Sequence, residues 1–413
     1  MVERKLPPVW LFALAALPYG IVGAYSQQVM PYLVRDSGLD VDSIGCYSLI
    51  LFIPPMLQFL YAPIVDIGIR RKHWHVIVTT ISAIAIVITC TIPVAERPVT
   101  YMVFAVIAQL VSGLVGSCNG GLMAMMVVDA KRGKAGAWLN IGNISGGAIA
   151  GAIAIVEIYH KVEPILVGLT LAGMMMIGSL AVLTVAEPAR PQISGSELFR
   201  TTLSDVRKVL FSKQGITGVL LCLSPVGTAA LVNTWTALGK DYGVTGDHVA
   251  FMSGPVSAGI TAIGAGVGGW LCDRYNRRFL YLAAGVLTAI VGGAMTFSPV
   301  TATTFDWGVA AYSLATGFSY AAFTATVLET IGEGGTAAAT QYTLFVAAGN
   351  AAISYVGFAS SRFHESYGVV GMTGSDALLN LGGVVVLGFV FWRLGAFARK
   401  PDRLQETLDE RSK

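Results

Sequence analysis

The feature that most constrains this chain is a series of long apolar runs, almost free of charge, that recur along its whole length. Charged residues make up 12% of the 413 positions and hydrophobic residues 54%, whereas a soluble domain carries about 25% charged residues. A helix crosses a bilayer core of about 30 Å with about 20 mostly apolar residues. The runs that meet this length, numbered here as spans 1 to 12, are 8–34, 43–65, 74–95, 99–128, 137–157, 164–186, 214–237, 249–271, 279–299, 306–328, 338–360 and 376–396. The sequence therefore predicts an all-α polytopic membrane protein.

The basic residues fall mainly on one side of these spans. With the N-terminus placed in the cytoplasm, 22 of the 27 Lys and Arg residues lie in the termini and inner connections, and five lie in outer loops. Cytoplasmic loops of membrane proteins carry such an excess. The bias predicts that both termini are cytoplasmic and supports the number of spans. The first apolar stretch is too long for the apolar region of a signal peptide, so we interpret it as span 1.

The only long inner connection lies near the midpoint of the chain and divides it in two. The predicted parts are an N-terminal six-helix bundle at 1–186, a cytoplasmic linker at 187–213, a C-terminal six-helix bundle at 214–396 and a cytoplasmic tail at 397–413. In the linker, a capping-box pattern at 194–197 precedes apolar residues at helical spacing, which are Phe199, Leu203, Val206 and Leu210. This pattern predicts a short amphipathic helix at the membrane surface. A flexible linker remains the alternative for its first half.

The two halves repeat the same charged motif. Span 2 ends in Asp66 before Arg70 and Arg71, and span 8 ends in Asp273 before a basic cluster. That cluster consists of Arg274, Arg277 and Arg278. A second matching pair is formed by Asp129 at the end of span 4 and Glu329 at the end of span 10. Internal repeats with a site between them are typical of secondary transporters.

The motif after span 8 resembles the loop motif of the major facilitator superfamily, Gly-x-x-x-Asp-Arg-x-Gly-Arg-Arg, beginning at Gly269. Asn276 replaces the second glycine, and asparagine also accepts left-handed backbone. The resemblance implies two pseudo-symmetric six-helix bundles and a cytoplasmic latch, in which the aspartate faces a helix N-terminus of the other half. The predicted gating residues are Asp66, Arg70, Arg71, Asp129, Asp273, Arg274, Arg277, Arg278 and Glu329. Asp129 is expected to pair with Arg70 or Arg71, and Glu329 with Arg274 or Arg277; ordinary positive-inside charge is the alternative.

Several shorter patterns resemble the AmpG-type muropeptide permeases. They are Leu17-Pro18, Ile44-Gly45 with Ser48, the run 58–63 (QFLYAP), Val128-Asp129-Ala130 and the run 339–344 (ATQYTL). Acetyl-coenzyme A carriers and a siderophore-permease group are similar at the same places. The resemblance implies a proton-coupled importer in the cytoplasmic membrane of a bacterium. Its partners would be a small-molecule substrate, protons and the lipid bilayer, and we expect a monomer.

Polar residues inside the spans predict the substrate path, because such residues usually face the bundle interior or a water-filled cavity. The candidates are Tyr19, Tyr25, Gln27, Gln28, Asn119, Asn140, Asn143, Asn233, Trp235, Tyr320, Gln341, Tyr342 and Asn350. Their amides and phenols suit a ligand rich in amides, hydroxyls or rings. Hydrogen bonding between helices is the alternative role. No Lys or Arg lies in the middle of a span, which counts against small anions as substrates, although loop arginines could serve at the mouth.

Other residue types indicate no further chemistry. The five cysteines are odd in number and widely spaced, so we interpret them as small apolar residues rather than as a disulfide framework or metal site. The histidines, including His75 in a basic loop, are expected at the surface. We find no phosphate-cradling motif and no nucleophile constellation, so we expect no cofactor, no enzymatic activity and no nucleic-acid partner. A membrane receptor or scaffold with a transporter fold is the contrasting class.

Two sequence features bear on mechanism. No carboxylate lies firmly at mid-membrane by our boundaries, since Glu157 is near the outer end of span 5 and Asp129 and Glu329 are near inner ends. Uniport or exchange therefore stays open beside proton coupling. Glycines crowd spans 5 and 8, among them Gly142, Gly147 and Gly254. Small residues let helices approach closely in lipid, and we expect these two spans to meet between the halves.

Overall fold

The computed structural model describes residues 8, 10–126, 135, 138–185, 187, 195–331 and 338–393, and the regular structure in these ranges is helical throughout. In chain order the α-helices are α1 (Leu11–Ala24), α2 (Met30–Asp36), α3 (Val41–Tyr61), α4 (Arg71–Thr91), α5 (Pro98–Met126), α6 (Gly147–Tyr159), α7 (Pro164–Ala181), α8 (Gly195–Leu210), α9 (Lys213–Cys222), α10 (Trp235–Leu238), α11 (Gly246–Phe251), α12 (Ser257–Arg274), α13 (Arg277–Thr296), α14 (Ala302–Ile331) and α15 (Ala338–Arg393). Wider π-helical turns join α1 to α2 and α11 to α12, and another precedes α6. The all-α prediction is confirmed.

Eight helical stretches of the described chain are long and apolar enough to cross a membrane. One of them, Thr343–Arg393, covers most of span 11 and most of span 12. Spans 1, 7 and 10 are not among the eight. Span 1 carries neighbouring glutamines, Gln27 and Gln28, which lower its hydropathy, and span 7 is interrupted. The count of twelve crossing helices therefore stays a prediction.

Span 7 is broken, where the sequence predicted one helix at 214–237. Helix α9 ends at Cys222, and a single 3-10 turn, Ala230–Asn233, precedes the short α10. Pro225 disfavours helical backbone at the residue before it. Gly227 and Ala229 then adopt left-handed backbone, with φ of 64° and 52°. We call residues 223–234 the break.

The predicted outer connection between spans 11 and 12 is a tight turn rather than a long loop. Two helical segments of α15 meet there, and Gly368 between them has non-helical backbone, with φ 61° and ψ −151°. Side chains before and after Gly368 lie at one end of the molecule, so the chain reverses there. Thr373, for example, hydrogen-bonds Thr296 at the end of α13 at 3.0 Å. Glycine is the residue type that reaches this backbone region without steric cost.

The two ends of the helical bundle differ in how the halves meet. We call the end with Asp66 and Arg277 the inner end, predicted to be cytoplasmic, and the end with Arg35 and Asp241 the outer end. The largest apolar cluster lies toward the outer end and draws on both halves, including Val29 from one and Leu238 from the other. Smaller clusters lie within single halves.

The glycines of span 5 pack closely, but mainly within their own half. A Cβ at Gly142 would overlap the backbone oxygen of Ala13, and one at Gly147 would lie 2.5 Å from that of Gly20. These contacts press α6 and its preceding turn onto α1. Contact between the halves involves Gly254, where an added Cβ would lie 2.5 Å from Ala152. Spans 5 and 8 therefore do meet there.

A helix occupies the part of the linker where the sequence predicted one. In α8, Val206 and Val209 are buried, whereas Leu203 and Leu210 are exposed. The capping residue at 194 lies outside the described residues, as does the side chain of Phe199. Exposed apolar side chains on α8 agree with the predicted position at a membrane surface.

Candidate functional site

A cavity of about 910 Å³ lies between the two halves. Most of its wall comes from the C-terminal half, and the N-terminal half contributes Gln27, Phe52, Asn140, Ile141, Ile144 and Ser145. Cys272 and Arg277, at the inner ends of α12 and α13, also line it. The cavity therefore extends toward the inner end. Its volume lies within the range of about 300–1,000 Å³ that is common for small-molecule sites.

The wall is mostly apolar with a set of neutral polar groups. These are Gln27, Asn140, Ser145, Ser224, Thr228, Asn233, Thr261, Tyr281, Tyr320, Thr324 and Asn350. Arg277 is the one cation among the described lining residues, and no carboxylate is among them. Tyr320 is 38% exposed although it lies well inside α14, because its ring faces this cavity.

Five of the predicted substrate residues lie on this wall: Gln27, Asn140, Asn233, Tyr320 and Asn350. Asn233 is 8% exposed and ends the short helical turn inside the break. The break thus brings backbone and side-chain polar groups to the wall, where an intact helix would keep its backbone groups within its own hydrogen bonds.

Asn119 lies away from the cavity, in a buried polar cluster that fixes α1. Its Nδ2 donates to the backbone oxygen of Ala15 at 2.8 Å. The same oxygen lies 3.0 Å from Nε2 of His75, whose Nδ1 lies 2.9 Å from Oγ of Ser179. His75 is completely buried in α4, so its predicted surface position is wrong. Its basic neighbours in the sequence indicated a loop, but helix α4 begins at Arg71.

Two further aromatic candidates are core residues. The hydroxyl of Tyr25 hydrogen-bonds that of Tyr101 at 3.0 Å, and both side chains are buried. Trp235 packs edge-on against Phe305 and Tyr312, with ring centroids 6.1 and 5.7 Å away. These contacts fit the alternative role, packing and hydrogen bonding between helices.

The remaining candidates have no described contact with the cavity wall. Tyr19 packs beside Gly116 of α5, and the side chain of Gln28 lies against Gly151 of α6. The backbone of Asn143 packs against α1 at Gly20. The side chains of Gln341 and Tyr342 lie outside the described residues, so their assignment stays a prediction.

The first gating motif forms an ion pair inside the N-terminal half. Asp66 pairs with Arg71, with Nε to Oδ1 at 2.8 Å. The carboxylate of Glu187 accepts hydrogen bonds from the backbone N–H groups of Arg71 and Lys72, each at 3.0 Å. Glu187 thereby caps the start of α4, where the helix dipole favours an anion. Arg70 is exposed, and its predicted partner Asp129 lies outside the described residues.

The second gating motif pairs differently from the prediction. Glu329 contacts Arg278 at 3.2 Å, whereas Arg274 and Arg277 were expected. Arg274 instead lies over the ring of Trp270, 3.9 Å from its centroid, and Arg277 lines the cavity. Arg277 and Arg278 are adjacent at the start of α13 and take different roles, because successive helical residues point about 100° apart. The side chain of Asp273 lies outside the described residues.

Asn276 has a different role from the one expected for a glycine replacement. Its φ is −63°, which is not left-handed. Its Oδ1 accepts hydrogen bonds from the backbone N–H groups of Arg278 and Phe279, at 3.0 and 3.2 Å. Asn276 is thus the N-cap of α13, a position that asparagine favours.

The outer end is closed by polar contacts between the halves. The charged or imidazole pairs that join them are Arg35–Asp241, Arg362–Asp42 and His160–Asp247. In addition, the hydroxyl of Thr236 donates to the backbone oxygen of Gln28 at 2.7 Å. Together with the shared apolar cluster, these contacts separate the cavity from the outer end.

Asp241 is the centre of the outer contacts and lies in the loop after α10. It accepts hydrogen bonds from Arg35 of the other half and from Nε2 of His364, the latter at 3.2 Å. Burial alone would raise the pKa of Asp241, but the hydrogen bond from His364 and the charge of Arg35 lower it more, so that the pKa lies below its usual value.

The sequence analysis missed a buried carboxylate in α15. Asp376 is fully buried, and its Oδ2 accepts a hydrogen bond from the hydroxyl of Tyr312 at 3.0 Å. It is the first residue of the predicted span 12. A usable signal was present, because Asp376 and Asn380 are four residues apart and therefore share one face of a helix.

Comparison with known proteins gives a consistent picture of the fold. The model of a family described as Major Facilitator Superfamily matches residues 11–357. No curated protein sequence matches the chain significantly. Similar solved structures include a mutant of the nucleoside transporter NupG (16% identity, covering 93% of this chain and 98% of that one, TM-score 0.67), a D-xylose–proton symporter (12%, 92% and 96%, 0.69), and a POT family transporter in complex with a thioalcohol-conjugated peptide (12%, 95% and 96%, 0.68).

Proposed function

The chain belongs to the major facilitator superfamily, and we propose that it is a secondary active transporter that imports a medium-sized polar organic solute by alternating access. The observation that carries this proposal is the cavity of about 910 Å³ between the halves, which extends toward the inner end while the outer end is closed. A site that faces one side at a time is what alternating access requires.

The lining favours a solute rich in amides and hydroxyls. Neutral groups such as Gln27, Asn233 and Asn350 can donate and accept hydrogen bonds at once. Arg277 near the mouth suits a carboxylate or phosphate on one end of the solute. A muropeptide combines sugar hydroxyls, amides and carboxylates, and it is our first candidate. Siderophores and acyl-coenzyme A-type solutes are the alternatives, following the resemblance of the N-terminal half and span 11.

We further propose that import is driven by protons and that the protein is a monomer in the cytoplasmic membrane of a bacterium, with both termini cytoplasmic. The charge bias of the loops supports this orientation. Reporter fusions at the two termini would test it, and an outside location of either terminus would contradict it.

Counterflow in proteoliposomes tests transport itself. Purified protein is reconstituted, loaded with unlabelled muropeptide and diluted into labelled muropeptide; siderophores and acyl-coenzyme A are tested in parallel. We expect transient accumulation of one label in protein-containing vesicles and none in empty ones. A receptor or scaffold would bind a solute in a thermal-shift assay without counterflow, and that result would overturn the proposal.

A further inference from the structure

Asp376 is a carboxylate for which the transport path described above has no role. It lies eight residues after the reversal at Gly368, which is about 12 Å along the helix. Oδ2 accepts the hydrogen bond from Tyr312, and Oδ1 is buried without a hydrogen-bond partner. An ionised carboxylate with so little compensation is costly to bury. Ionisable groups inside membrane bundles are therefore usually functional.

The surroundings of Asp376 offer little to stabilise a negative charge. From α14, the titratable group that meets it is Tyr312, and no ion pair among the described residues includes Asp376. From α13 the nearby polar group is Thr296, which bonds Thr373 one turn away. The break contributes backbone groups and no charged side chain. A neutral acid, with the proton on one carboxyl oxygen, therefore fits this environment better than a carboxylate.

Hydrogen bonds connect this acid to the break. The oxygen of Tyr312 that donates to Asp376 also accepts from the backbone N–H of Leu231, at 3.4 Å. One turn further along α15, Oδ1 of Asn380 accepts from the backbone N–H of Gly227 at 2.9 Å. Tyr312 and Asn380 therefore bond the backbone of the break on either side of Ala229, whose own backbone is left-handed.

The break in turn reaches both the cavity and the outer closure. Gly227, Thr228 and Asn233 line the cavity, and Thr236, just after the break, donates to the backbone of Gln28 in the other half. A change of charge at Asp376 would alter the bond from Tyr312 first. Through Leu231 it would then act on the segment that shapes the cavity and joins the halves.

We propose that Asp376 is a proton-binding site that couples proton movement to the conformational change, acting through Tyr312 and the break. In the inward-extended state the carboxyl group is neutral. It takes this proton from water on the outer side when the outer end opens. It gives the proton up to water that enters from the inner cavity, where the carboxyl O–H bond breaks, the proton passes to water and the electron pair stays on the carboxylate. This inference rests on the proposed transport function for its role, but the proton site itself can be tested without any substrate.

Infrared difference spectra of the purified protein at a series of pH values give that test. We expect a carboxylic C=O stretching band that persists at pH values where exposed carboxylates are ionised, and that shifts when aspartate is labelled with carbon-13. Asp376→Asn should remove the band, and Asp306→Asn, in an aspartate of the same half that is 40% exposed, should leave it. Absence of such a band from the wild type would overturn the proposal, even if Asp376→Asn fails to fold.

Tyr312→Phe separates proton binding from packing. It keeps the ring but removes the hydroxyl that donates to Oδ2, so the band should shift in frequency and persist to higher pH, because the ionised form loses its donor. A band that is unchanged in Tyr312→Phe would show that the titrating acid is not Asp376 in this environment.

A transport measurement tests whether Asp376 couples proton movement to solute transport. In proteoliposomes with an imposed pH gradient and labelled muropeptide as the probe, the wild type should accumulate label. Asp376→Asn should lose accumulation yet retain counterflow. Full accumulation by the variant would refute coupling through Asp376. If the wild type carries none of the probe, the proposed substrate has failed, and the infrared result still decides the proton site.

Discussion

At the scale of single residues, burial separates the polar positions that can meet a solute from those that hold helices together. Asn233 and Asn350 face the cavity, whereas Asn119 donates to the backbone of Ala15. All three are asparagines within apolar runs, and the sequence alone treats them alike. The difference arises from which face of each helix is turned inward, which long-range packing decides.

The cavity wall makes a prediction for Asn350. Asn350→Ala should raise the solute concentration for half-maximal uptake about fivefold, because loss of one hydrogen bond costs about 1 kcal/mol. Asn143→Ala should have a smaller effect, since the structure does not place Asn143 on the wall. Initial uptake rates over a concentration series, normalised to protein in the vesicles, would measure both. A larger effect at Asn143 would contradict the placement.

Residue-scale prediction failed most clearly for His75 and Asp376. His75 was interpreted from its neighbours Lys72 and His73, and Asp376 was not singled out because it lies next to a predicted loop. In the structure both are fully buried, and each is stabilised by partners more than 60 residues away, Ser179 and Tyr312 respectively. Local composition contains no information about such partners.

At the scale of helices, the positions of the apolar runs were predicted well and their continuity was not. Most runs became helices within a few residues of the predicted bounds. The failures were the break in span 7 and the length of the connection between spans 11 and 12, which is a tight turn at Gly368. Both depend on one or two residues, Pro225 with Gly227 and Gly368, whose effects a window average over about 20 residues does not register.

Close helix packing gives a prediction at this scale, with a matched control in the same helix. In α12, a Cβ at Gly264 would overlap the backbone oxygen of Leu314, whereas one at Gly266 would meet no atom within 4 Å. Gly264→Ala should destabilise the protein by about 1–3 kcal/mol through overpacking. Gly266→Ala should be neutral or stabilising by up to about 1 kcal/mol, because alanine favours helix.

Thermal unfolding of the two variants in the same detergent would measure this difference. Equal melting temperatures would show that α12 and α14 are further apart than the structure has them, or that they separate without cost. The comparison is independent of any substrate, so it tests the fold rather than the proposed function.

At the scale of the whole molecule, the two ends are held by different kinds of contact. At the inner end, the described ion pairs Asp66–Arg71 and Arg278–Glu329 each lie within one half. At the outer end, Arg35–Asp241 and Arg362–Asp42 cross between the halves. Contacts that cross are the ones that must break when the molecule changes the side it faces, so the outer pairs are expected to set that equilibrium.

Asp241 makes the closure of the outer end depend on pH in the acid range. The pKa of Asp241 is lowered in the closed state. The contribution of its carboxylate to outer closure is therefore present above the ordinary aspartate pKa of about 3.9 and is lost as pH falls through the lowered pKa. We expect this contribution to weaken below about pH 4. Labelling of a single cysteine placed in the outer part of the cavity, followed against pH, would measure it. Asp241→Asn should abolish this component, and an unchanged profile would contradict the assignment.

Charge reversal at the same pair tests whether the outer closure controls the whole molecule. Arg35→Glu places two acids together, and Asp241→Lys places two bases together, so each should favour opening of the outer end and raise the labelling of an outer-cavity cysteine. The double variant restores an opposite-charge pair and should recover much of the wild-type labelling. A pair that is about 20% exposed on each side contributes modestly, and about 1 kcal/mol would change the closed-to-open ratio about fivefold.

Arg97, a basic residue of an outer loop by sequence, supplies a matched control, since Arg97→Glu changes the net charge equally. If the double variant labels as fast as the two single variants, the pair is incidental, and the apolar cluster around Val29 and Leu238 and the other contacts between the halves hold the outer end closed.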